Sequence, residues 1–265
     1  MLLDYCMANP AGNRTALVIT SAEKSVYADI SRKLMARIDG CEQVGFLVDP
    51  VHGGDVRLEM MGGEFCGNAL RCAAYYYVRE KIPSQRSIVA AEISGCNRPL
   101  EVSANVVKGV SQAEMLLPRK TEEVEHWGGS GAMAFLYDGI AHIVLPGPAR
   151  HLPEESLKAY LQSLAIQYNV SAVGLMQVDL IEHRLLPVVF VRETNTMVYE
   201  SSCASGSAAA AVYLALLEED GVCSYDFSEP GGILNAVVVK RDHKILSVKI
   251  GSTITMTEKQ QIEIE

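Results

Sequence analysis

Most of the chain alternates between short apolar segments and polar or turn residues, which is the pattern of β-strands joined by tight turns. Turn residues such as Asn9-Pro10-Ala11-Gly12-Asn13 after the first strand and Gly231-Gly232 near the end separate these segments. Strands are therefore expected over residues 2–7, 15–20, 44–48, 56–60, 87–93, 100–104, 113–117, 134–137, 142–145, 173–179 and 186–191.

The remaining stretches have helical patterns. Ser21 is expected to cap a helix over residues 22–38, and Pro153 is expected to be the first residue of another helix. Two further stretches, residues 73–78 and 208–217, are apolar nearly all round. A helix that is apolar on every face must be enclosed by the rest of the protein.

The two enclosed helices come at corresponding places in the two halves of the chain. In each half, several strands are followed by a loop with a cysteine and then by the apolar helix, for which a curved sheet is the expected enclosure. We therefore expect an α+β fold of two similar lobes, each a curved, mostly antiparallel sheet wrapped around a central helix. The N-terminal lobe, residues 1–117, carries Cys66 and is joined by a C-terminal strand at 251–265, and the C-terminal lobe, residues 118–250, carries Cys203.

The composition is that of a globular protein with an acidic surface. Of the 265 residues, 49% are hydrophobic and 21% are charged, and the formal net charge is −9. Nucleic-acid phosphates require clustered lysines and arginines, so this charge argues against nucleic acid as a partner. No apolar run approaches the ~20 residues of a membrane span, which argues against a membrane partner. The first residues lack the basic and apolar regions of a signal peptide, so we expect the protein in the cytoplasm.

The chain has seven cysteines, and their number and spacing argue against several kinds of site. An odd count without a signal peptide is not typical of a disulfide framework. No Cys-x-x-Cys pair occurs, which excludes a thioredoxin-like site, and the separation of Cys66 from Cys72 does not fit a zinc ribbon. No metal site is therefore expected, and Cys72 is expected in the core because it falls well inside the predicted helix.

Cys66 and Cys203 each stand where a strand leads into a buried helix. The first-turn amides of such a helix have no internal acceptor, and the helix dipole favours negative charge there, so both effects are expected to lower the pKa of the thiol. The same amides bind carboxylates. Two such turns in two lobes predict a cleft between the lobes, with one sulfur on each face of a bound carbon. One thiolate then removes a proton and the other thiol returns one, which is racemisation without a prosthetic group.

Three alternatives stand beside this interpretation. A single cysteine at the start of a helix is more often structural than functional. A cysteine hydrolase uses one cysteine with a histidine and needs no second matching turn. A non-catalytic amino-acid-binding protein of the same fold needs neither thiol, so the pairing of the two turns favours the two-thiol racemase.

The cysteine turns and several other motifs resemble the diaminopimelate epimerase superfamily, which includes proline racemase and the phenazine-biosynthesis isomerases. The resemblance implies a fold of two similar lobes, each a sheet around a central helix, with the active site between them and no cofactor. The matching residues are Gly12-Asn13, Cys66-Gly67-Asn68, Ser94-Gly95, Cys203 with Ser205-Gly206, and Glu229-Pro230-Gly231-Gly232.

Within that superfamily the chain is most similar to the histidine racemases of opine-metallophore (staphylopine-type) biosynthesis. The resemblance implies interconversion of L- and D-histidine, with an epimerase of diaminopimelate or another polar amino acid as the alternative. Arg14, Ala69 and the short spacing from Glu200 to Cys203 depart from the diaminopimelate epimerase pattern and argue against that substrate. The supporting strings are Asn9-Pro10-Ala11-Gly12-Asn13, Cys41-Glu42-Gln43-Val44-Gly45-Phe46, Glu64-Phe65-Cys66-Gly67-Asn68-Ala69 and Glu200-Ser201-Ser202-Cys203.

The resemblance also assigns roles to individual residues, with Cys66 and Cys203 as the catalytic pair. Glu42 is implied to take the ammonium or imidazole group of the substrate, or else is a surface carboxylate. Glu200 is implied to hold the ammonium group, or else caps the following helix. His142 is implied to lie at the cleft, or else is a histidine of a strand with no role in the site. The resemblance leaves the oligomeric state open, and a homodimer is possible. The residues implied to contact the substrate backbone are Asn13, Gly67, Asn68, Ser205, Gly206 and Ser207.

Overall fold

The structure is a computed structural model that describes residues 1–82, 84–124 and 131–265, and these residues form four α-helices and eighteen strands. The helices are α1 (Tyr27–Arg37), α2 (Gly67–Lys81), α3 (Glu154–Gln167) and α4 (Ala204–Leu216). The strands are β1 (Leu2–Asn9), β2 (Thr15–Val18), β3 (Gln43–Val48), β4 (Val56–Met60), β5 (Arg86–Ile93), β6 (Leu100–Asn105), β7 (Val110–Glu114), β8 (Lys120–Glu123), β9 (Met133–Leu136), β10 (Ile140–Pro146), β11 (Ala172–Val178), β12 (Leu185–Val191), β13 (Thr196–Tyr199), β14 (Gly221–Glu229), β15 (Gly232–Arg241), β16 (Lys244–Thr253), β17 (Thr255–Met256) and β18 (Gln260–Glu263).

The chain divides into two compact units. Unit 1 comprises Met1–Glu114 and Gly251–Glu265, and unit 2 comprises Met115–Ile250. The chain passes back into unit 1 within β16, so the C-terminal residues fold with the N-terminal ones. Each unit has its own sheet and its own buried helix.

Unit 1 is a mixed sheet with α2 as its central helix. Its strands follow the order β7-β6-β5-β4-β3-β2-β1-β17, and β18 also pairs with β1. The pairs β2/β3 and β4/β5 are parallel, and the other strand pairs just named are antiparallel. Every residue from Gly67 to Tyr75 is buried, because α2 packs against β4, β5, β6 and β7. The start of α2 is therefore held on several sides.

Unit 2 contains a sheet in the order β13-β12-β11-β10-β9-β8 and the strands β14-β15-β16. The parallel pair β10/β11 is connected through α3, which packs on β11 and β12. α4 packs against β10, β11, β14 and β15, and its alanines at 208–211 are all buried. Small side chains let the strands approach this helix closely, so α4 is enclosed as its composition predicted.

Several boundaries differ from those predicted. The first helix begins at Tyr27 after a short 3-10 turn, Lys24–Val26, because the buried side chains of its inner face start only at Tyr27. Pro153 is the N-cap of α3 and not its first residue. The strand expected at 113–117 is β7, which lies three residues earlier because Val110 pairs with Asn105 across a tight turn. No helix in the described ranges has both the length and the apolar character needed to cross a membrane.

Candidate active site

Cys66 and Cys203 occupy equivalent positions in their units. Cys66 is the N-cap of α2 with φ −136° and ψ 108°, and Cys203 is the N-cap of α4 with φ −133° and ψ 97°. An extended N-cap directs its side chain towards the first-turn amides of the helix. The Cys203 thiol accepts a bond from a first-turn amide of α4, where negative charge on sulfur is favoured, whereas the Cys66 side chain makes no such capping bond to α2.

The sulfur of Cys66 lies against the buried amide group of Gln43. The Gln43 Nε2 and Oε1 atoms are each 3.5 Å from Cys66 Sγ, and Asn13 Oδ1 is 4.0 Å from it. Gln43 Nε2 also donates to Thr15 Oγ1 at 2.7 Å, and the Thr15 hydroxyl donates to Asn13 O at 3.1 Å. This network fixes the Gln43 amide, so a thiol at position 66 has an acceptor and a thiolate has a donor.

The turn between β1 and β2 brings Asn13 to Cys66. Ala11, Gly12 and Asn13 have φ values of 65°, 96° and 57°, so three successive residues have the left-handed conformation. For Ala11 this conformation is strained, and such strain is often found near functional sites. The Gly12 amide donates to Asn9 Oδ1 at 2.8 Å, and buried Arg71 of α2 donates to Pro10 O at 3.4 Å. These bonds hold the turn against the start of α2.

The segment that leads into Cys66 is fixed by the Ser94-Gly95 turn. Ser94 Oγ donates to Glu64 O at 2.8 Å and accepts from the Met60 amide at 2.9 Å. Gly95 has φ +73°, and a Cβ at this position would lie 2.5 Å from the Phe65 nitrogen. Only glycine allows this approach, so Gly95 sets the path of the backbone one residue before the cysteine.

The sulfur of Cys203 is enclosed by the first turn of α4 and by β10. The Gly206 amide donates to Cys203 Sγ at 3.4 Å, and Ser205 Oγ lies 3.7 Å from the sulfur. His142 Nε2 is 2.9 Å from Ser205 Oγ. A Cβ at position 206 would lie 2.1 Å from Met176 Sδ and 3.1 Å from Cys203 Sγ, so a side chain here would displace Met176 and crowd the sulfur.

Glu229, which the sequence analysis named in a family motif without giving it a role in the site, lies behind this turn. Glu229 Oε2 accepts the Cys203 amide at 2.8 Å, and Glu229 Oε1 accepts the Ser207 hydroxyl. Glu229 is 6% exposed, and it is the last residue of β14. The N-terminus of α4 is thus capped by a buried negative charge, which the helix dipole favours.

The expectation that the pKa of Cys203 is lowered is wrong. Burial raises the pKa of this thiol well above its ordinary value, and the negative charges of Glu200 and Glu229 raise it further. The Gly206 amide and the Ser205 hydroxyl lower it but do not compensate. Cys203 is therefore a protonated thiol near neutral pH, since burial and like charge both disfavour the thiolate.

The other predicted site residues fall into two groups. Gly67 and Asn68 lie buried in the first turn of α2, and Glu200 is half-buried just before Cys203. Glu42 is exposed, and its Oε1 accepts the Arg14 amide at 3.2 Å. Within each unit these predicted residues thus lie close in the chain to that unit's thiol, while Glu42 has the surroundings of a surface carboxylate.

His142 is fully buried, and burial lowers its pKa from 6.5 to about 4. Its Nδ1 atom has no hydrogen-bond partner within the described ranges and lies against Gly174, where a Cβ would be 2.4 Å away. The ring also meets Tyr137 edge to face at 5.7 Å between ring centroids. His142 is therefore a neutral imidazole that positions the Ser205 hydroxyl.

This histidine predicts a pH dependence of stability. Because the pKa is lower in the folded than in the unfolded protein, the unfolded state binds more protons between pH 6.5 and about 4. Lowering the pH through this window should therefore cost up to ~3 kcal/mol of unfolding free energy. Urea unfolding at several pH values tests this, with His142→Gln expected to reduce the slope and exposed His243→Asn to leave it unchanged. An unchanged slope in His142→Gln would contradict the assignment.

All seven cysteines are free thiols, and within the described ranges no group of three or more histidine, cysteine or acidic side chains is arranged to hold a metal ion. The chemistry that the two N-cap thiols offer is proton transfer or nucleophilic attack by the thiolate.

Solved structures with this fold include racemases and related enzymes. A probable proline racemase from Agrobacterium radiobacter K84 has a TM-score of 0.70 and 12% identity over 99% of this chain and 93% of that one. A phenazine biosynthesis protein of the PhzF family from Bacillus anthracis has a TM-score of 0.70 and 11% identity, with both chains covered fully. The predicted α+β fold is thereby confirmed.

Comparison of sequences identifies the family, whereas comparison with solved structures shows only the fold. The family model described as the histidine racemase CntK N-terminal domain matches residues 2–261. A histidine racemase from Staphylococcus aureus (strain Mu50) is 28% identical over 278 residues, which cover 99% of this chain and 98% of that protein.

The fold and the sequence matches together define an isomerase, an amino-acid racemase. The chain belongs to the histidine racemase family, as the match over almost its whole length shows. The resemblance to the histidine racemases noted in the sequence is confirmed by the same match.

Proposed function

We propose that this protein interconverts L- and D-histidine, with Cys66 and Cys203 as its two proton carriers. The observation that supports the mechanism best is the matching N-cap position of the two cysteines, one on the buried helix of each unit. The substrate is proposed from family membership and from the name of the Staphylococcus aureus relative.

The proposed reaction consists of two proton transfers and needs no prosthetic group. One cysteine, as the thiolate, takes the α-proton of histidine and becomes a thiol, leaving a carbanion. The other cysteine, as the thiol, gives its proton to the opposite face of the same carbon and becomes a thiolate. The product is the other enantiomer, and the two cysteines have exchanged protonation states. The protein then returns to its starting state by proton exchange with water or by turning over the product enantiomer.

Backbone amides are proposed to hold the substrate carboxylate and to stabilise the carbanion, whose charge spreads into that carboxylate. In α4 the amides of Cys203 and Gly206 already have acceptors. The amides of Ala204 and Ser205 are therefore proposed to bind the substrate, together with those of Gly67 and Asn68 in α2. Asn13 and Ser207 are proposed to support this contact, and Ser207 does so from its bond to Glu229.

Glu200 is proposed to bind the substrate ammonium group. Its negative charge raises the pKa of Cys203, so an ammonium group beside it offsets that effect. Substrate binding then makes the thiolate of Cys203 more accessible, which is needed when Cys203 acts as the base. Glu42 is proposed as a second contact, for the imidazole, at the edge of the site.

The proposed role in the cell is the supply of D-histidine for an opine metallophore, in the cytoplasm. The support for the pathway is the resemblance to that group of racemases. The support for the compartment is that all seven cysteines are free thiols, as expected in reducing surroundings.

The substrate assignment is tested with a panel of amino acids. Purified, reduced protein should convert L-histidine and D-histidine to an equal mixture, as measured by chiral chromatography, with no added cofactor. Lysine, proline and diaminopimelate should react at least about 10-fold more slowly, because one changed polar contact costs ~1.4 kcal/mol or more. Faster turnover of another member of the panel would overturn histidine as the substrate.

A further inference from the structure

The inference concerns Glu229 and rests on the proposed two-thiol mechanism. Its carboxylate is buried, 6% exposed, at the end of β14 and 26 positions after Cys203. One oxygen accepts the Cys203 amide at 2.8 Å, and the other accepts the Ser207 hydroxyl. A single side chain thus holds the N-cap residue and the first turn of α4.

We infer that Glu229 is a positioning residue for Cys203, which fixes the thiol at the start of α4 and biases it towards its protonated form. Two donors point at the carboxylate, which favours its ionised state. A negative charge at this end of the helix also opposes the stabilisation that the helix dipole would give to a thiolate.

The side chains of Gln43 and Asn13 contact the sulfur of Cys66 at the start of α2. Cys66 Sγ meets the amide group of Gln43 and the side-chain carbonyl oxygen of Asn13. The two cysteines therefore share a backbone conformation but differ in the side chains that contact them. In the resting protein, the Glu229 carboxylate beside the Cys203 turn favours Cys203 as the proton donor.

The charged and titratable groups around Cys203 come from four elements. Glu200 precedes α4, Glu229 comes from β14, Tyr137 follows β9 and His142 comes from β10. Lys240 of β15 bonds to Ala215 O, Leu216 O and Glu218 O at the opposite end of α4. His142 is neutral, so the two carboxylates are the negative charges that act on this thiol.

Thermodynamics limits how this bias appears in the kinetics. The equilibrium constant of racemisation is one, so kcat/KM must be equal in the two directions whatever the bias. The individual values of kcat and KM are free to differ. A change at Glu229 should therefore alter the ratio of the two kcat values and the ratio of the two KM values by the same factor.

The test follows Cys203 directly and does not need turnover. Cysteine labelled with ¹³C at Cβ reports ionisation of each thiol by NMR, and the Cys203 signal is assigned with Cys203→Ser. Glu229→Gln keeps the shape and removes the charge: its Oε1 can still accept the Cys203 amide, and its Nε2 can donate to the Ser207 hydroxyl oxygen. In this variant the titration midpoint of Cys203 should move to lower pH. The midpoint of Cys66 should not move.

Two matched variants separate charge from general damage. Asp226→Asn removes a negative charge from an exposed position on the same strand and should leave the Cys203 midpoint unchanged. Glu229→Asp retains the charge but is one methylene shorter, so the midpoint should stay near the wild-type value while kcat falls severalfold.

An unchanged Cys203 midpoint in folded Glu229→Gln would overturn the inference, as would an equal shift in Asp226→Asn. Neither result bears on the proposed racemisation of histidine. That proposal is contradicted separately if the wild-type protein does not racemise histidine. A shifted midpoint together with an inactive wild type would leave the effect of Glu229 on Cys203 standing and remove the reaction.

Discussion

Replacement of either Cys66 or Cys203 by serine is expected to lower racemisation of histidine by on the order of 10²–10⁴-fold, the usual contribution of a general acid or base. A serine hydroxyl occupies nearly the same space but does not ionise near neutral pH, so one of the two proton transfers is lost. The measurement is the rate of appearance of the opposite enantiomer, in both directions, by chiral chromatography.

The control for this prediction is Cys96→Ser, at a partly exposed thiol whose Sγ donates to Arg98 O at 3.2 Å. A serine can make the same bond, so turnover and melting temperature should be unchanged. Full racemisation by either Cys66→Ser or Cys203→Ser would exclude a mechanism that uses both thiols.

Substitution of Gly95 by alanine is expected to lower activity by moving the backbone that leads into Cys66, although Gly95 itself is not a proposed substrate contact. The added Cβ would lie 2.5 Å from the Phe65 nitrogen, so the backbone before Cys66 must move. Displacement of a catalytic group by about 1 Å costs on the order of 10² in rate. We therefore expect kcat to fall by ~10²-fold, with a loss of ~2–4 kcal/mol in unfolding free energy from the left-handed backbone and the collision together.

Gly53→Ala is the matched control, because Gly53 has φ +79° and its added Cβ would have no described atom within 4 Å. This substitution carries the backbone cost alone, ~1–2 kcal/mol, and should leave kcat unchanged. Denaturant unfolding and steady-state kinetics of the two variants separate the collision from the conformational cost. Equal kcat values would show that Gly95 does not position Cys66.

The parts of the site that could be predicted from sequence are those that local pattern determines. Two runs of small apolar residues, each after a cysteine, indicated enclosed helices with N-terminal thiols, and α2 and α4 have that arrangement. The apolar stretches at 73–78 and 208–217 mark only part of each helix, since the preceding helical residues at 67–72 and 204–207 include polar residues that nevertheless are mostly buried.

The residues that were missed depend on register and on distant pairing. Glu42 and Gln43 are neighbours, but β3 begins at Gln43, whose side chain is buried against Cys66 while that of Glu42 is exposed. Glu229 ends a strict alternation in which Cys223, Tyr225 and Phe227 are also buried. That alternation places a carboxylate on an inward face and is a signal in the sequence, but its partners at Cys203 and Ser207 appear only in the fold.

The protonation state of Cys203 also could not be predicted from the local sequence. A helix N-terminus favours a thiolate, which is a local argument and the reason for expecting a lowered pKa. Burial and two carboxylates outweigh it, and both depend on which strands surround α4. Electrostatics at this site is therefore set by tertiary packing more than by the capping position.

The most direct test of the two-thiol racemase is the fate of the α-hydrogen when L-histidine reacts in D₂O. If separate thiols remove and return the proton, the first D-histidine formed carries deuterium at Cα, while the L-histidine that remains still carries protium. Mass spectrometry of the separated enantiomers at low conversion gives both values. D-histidine that retains the substrate's hydrogen, or L-histidine that exchanges without inversion, would show one group acting on both faces and would contradict the account.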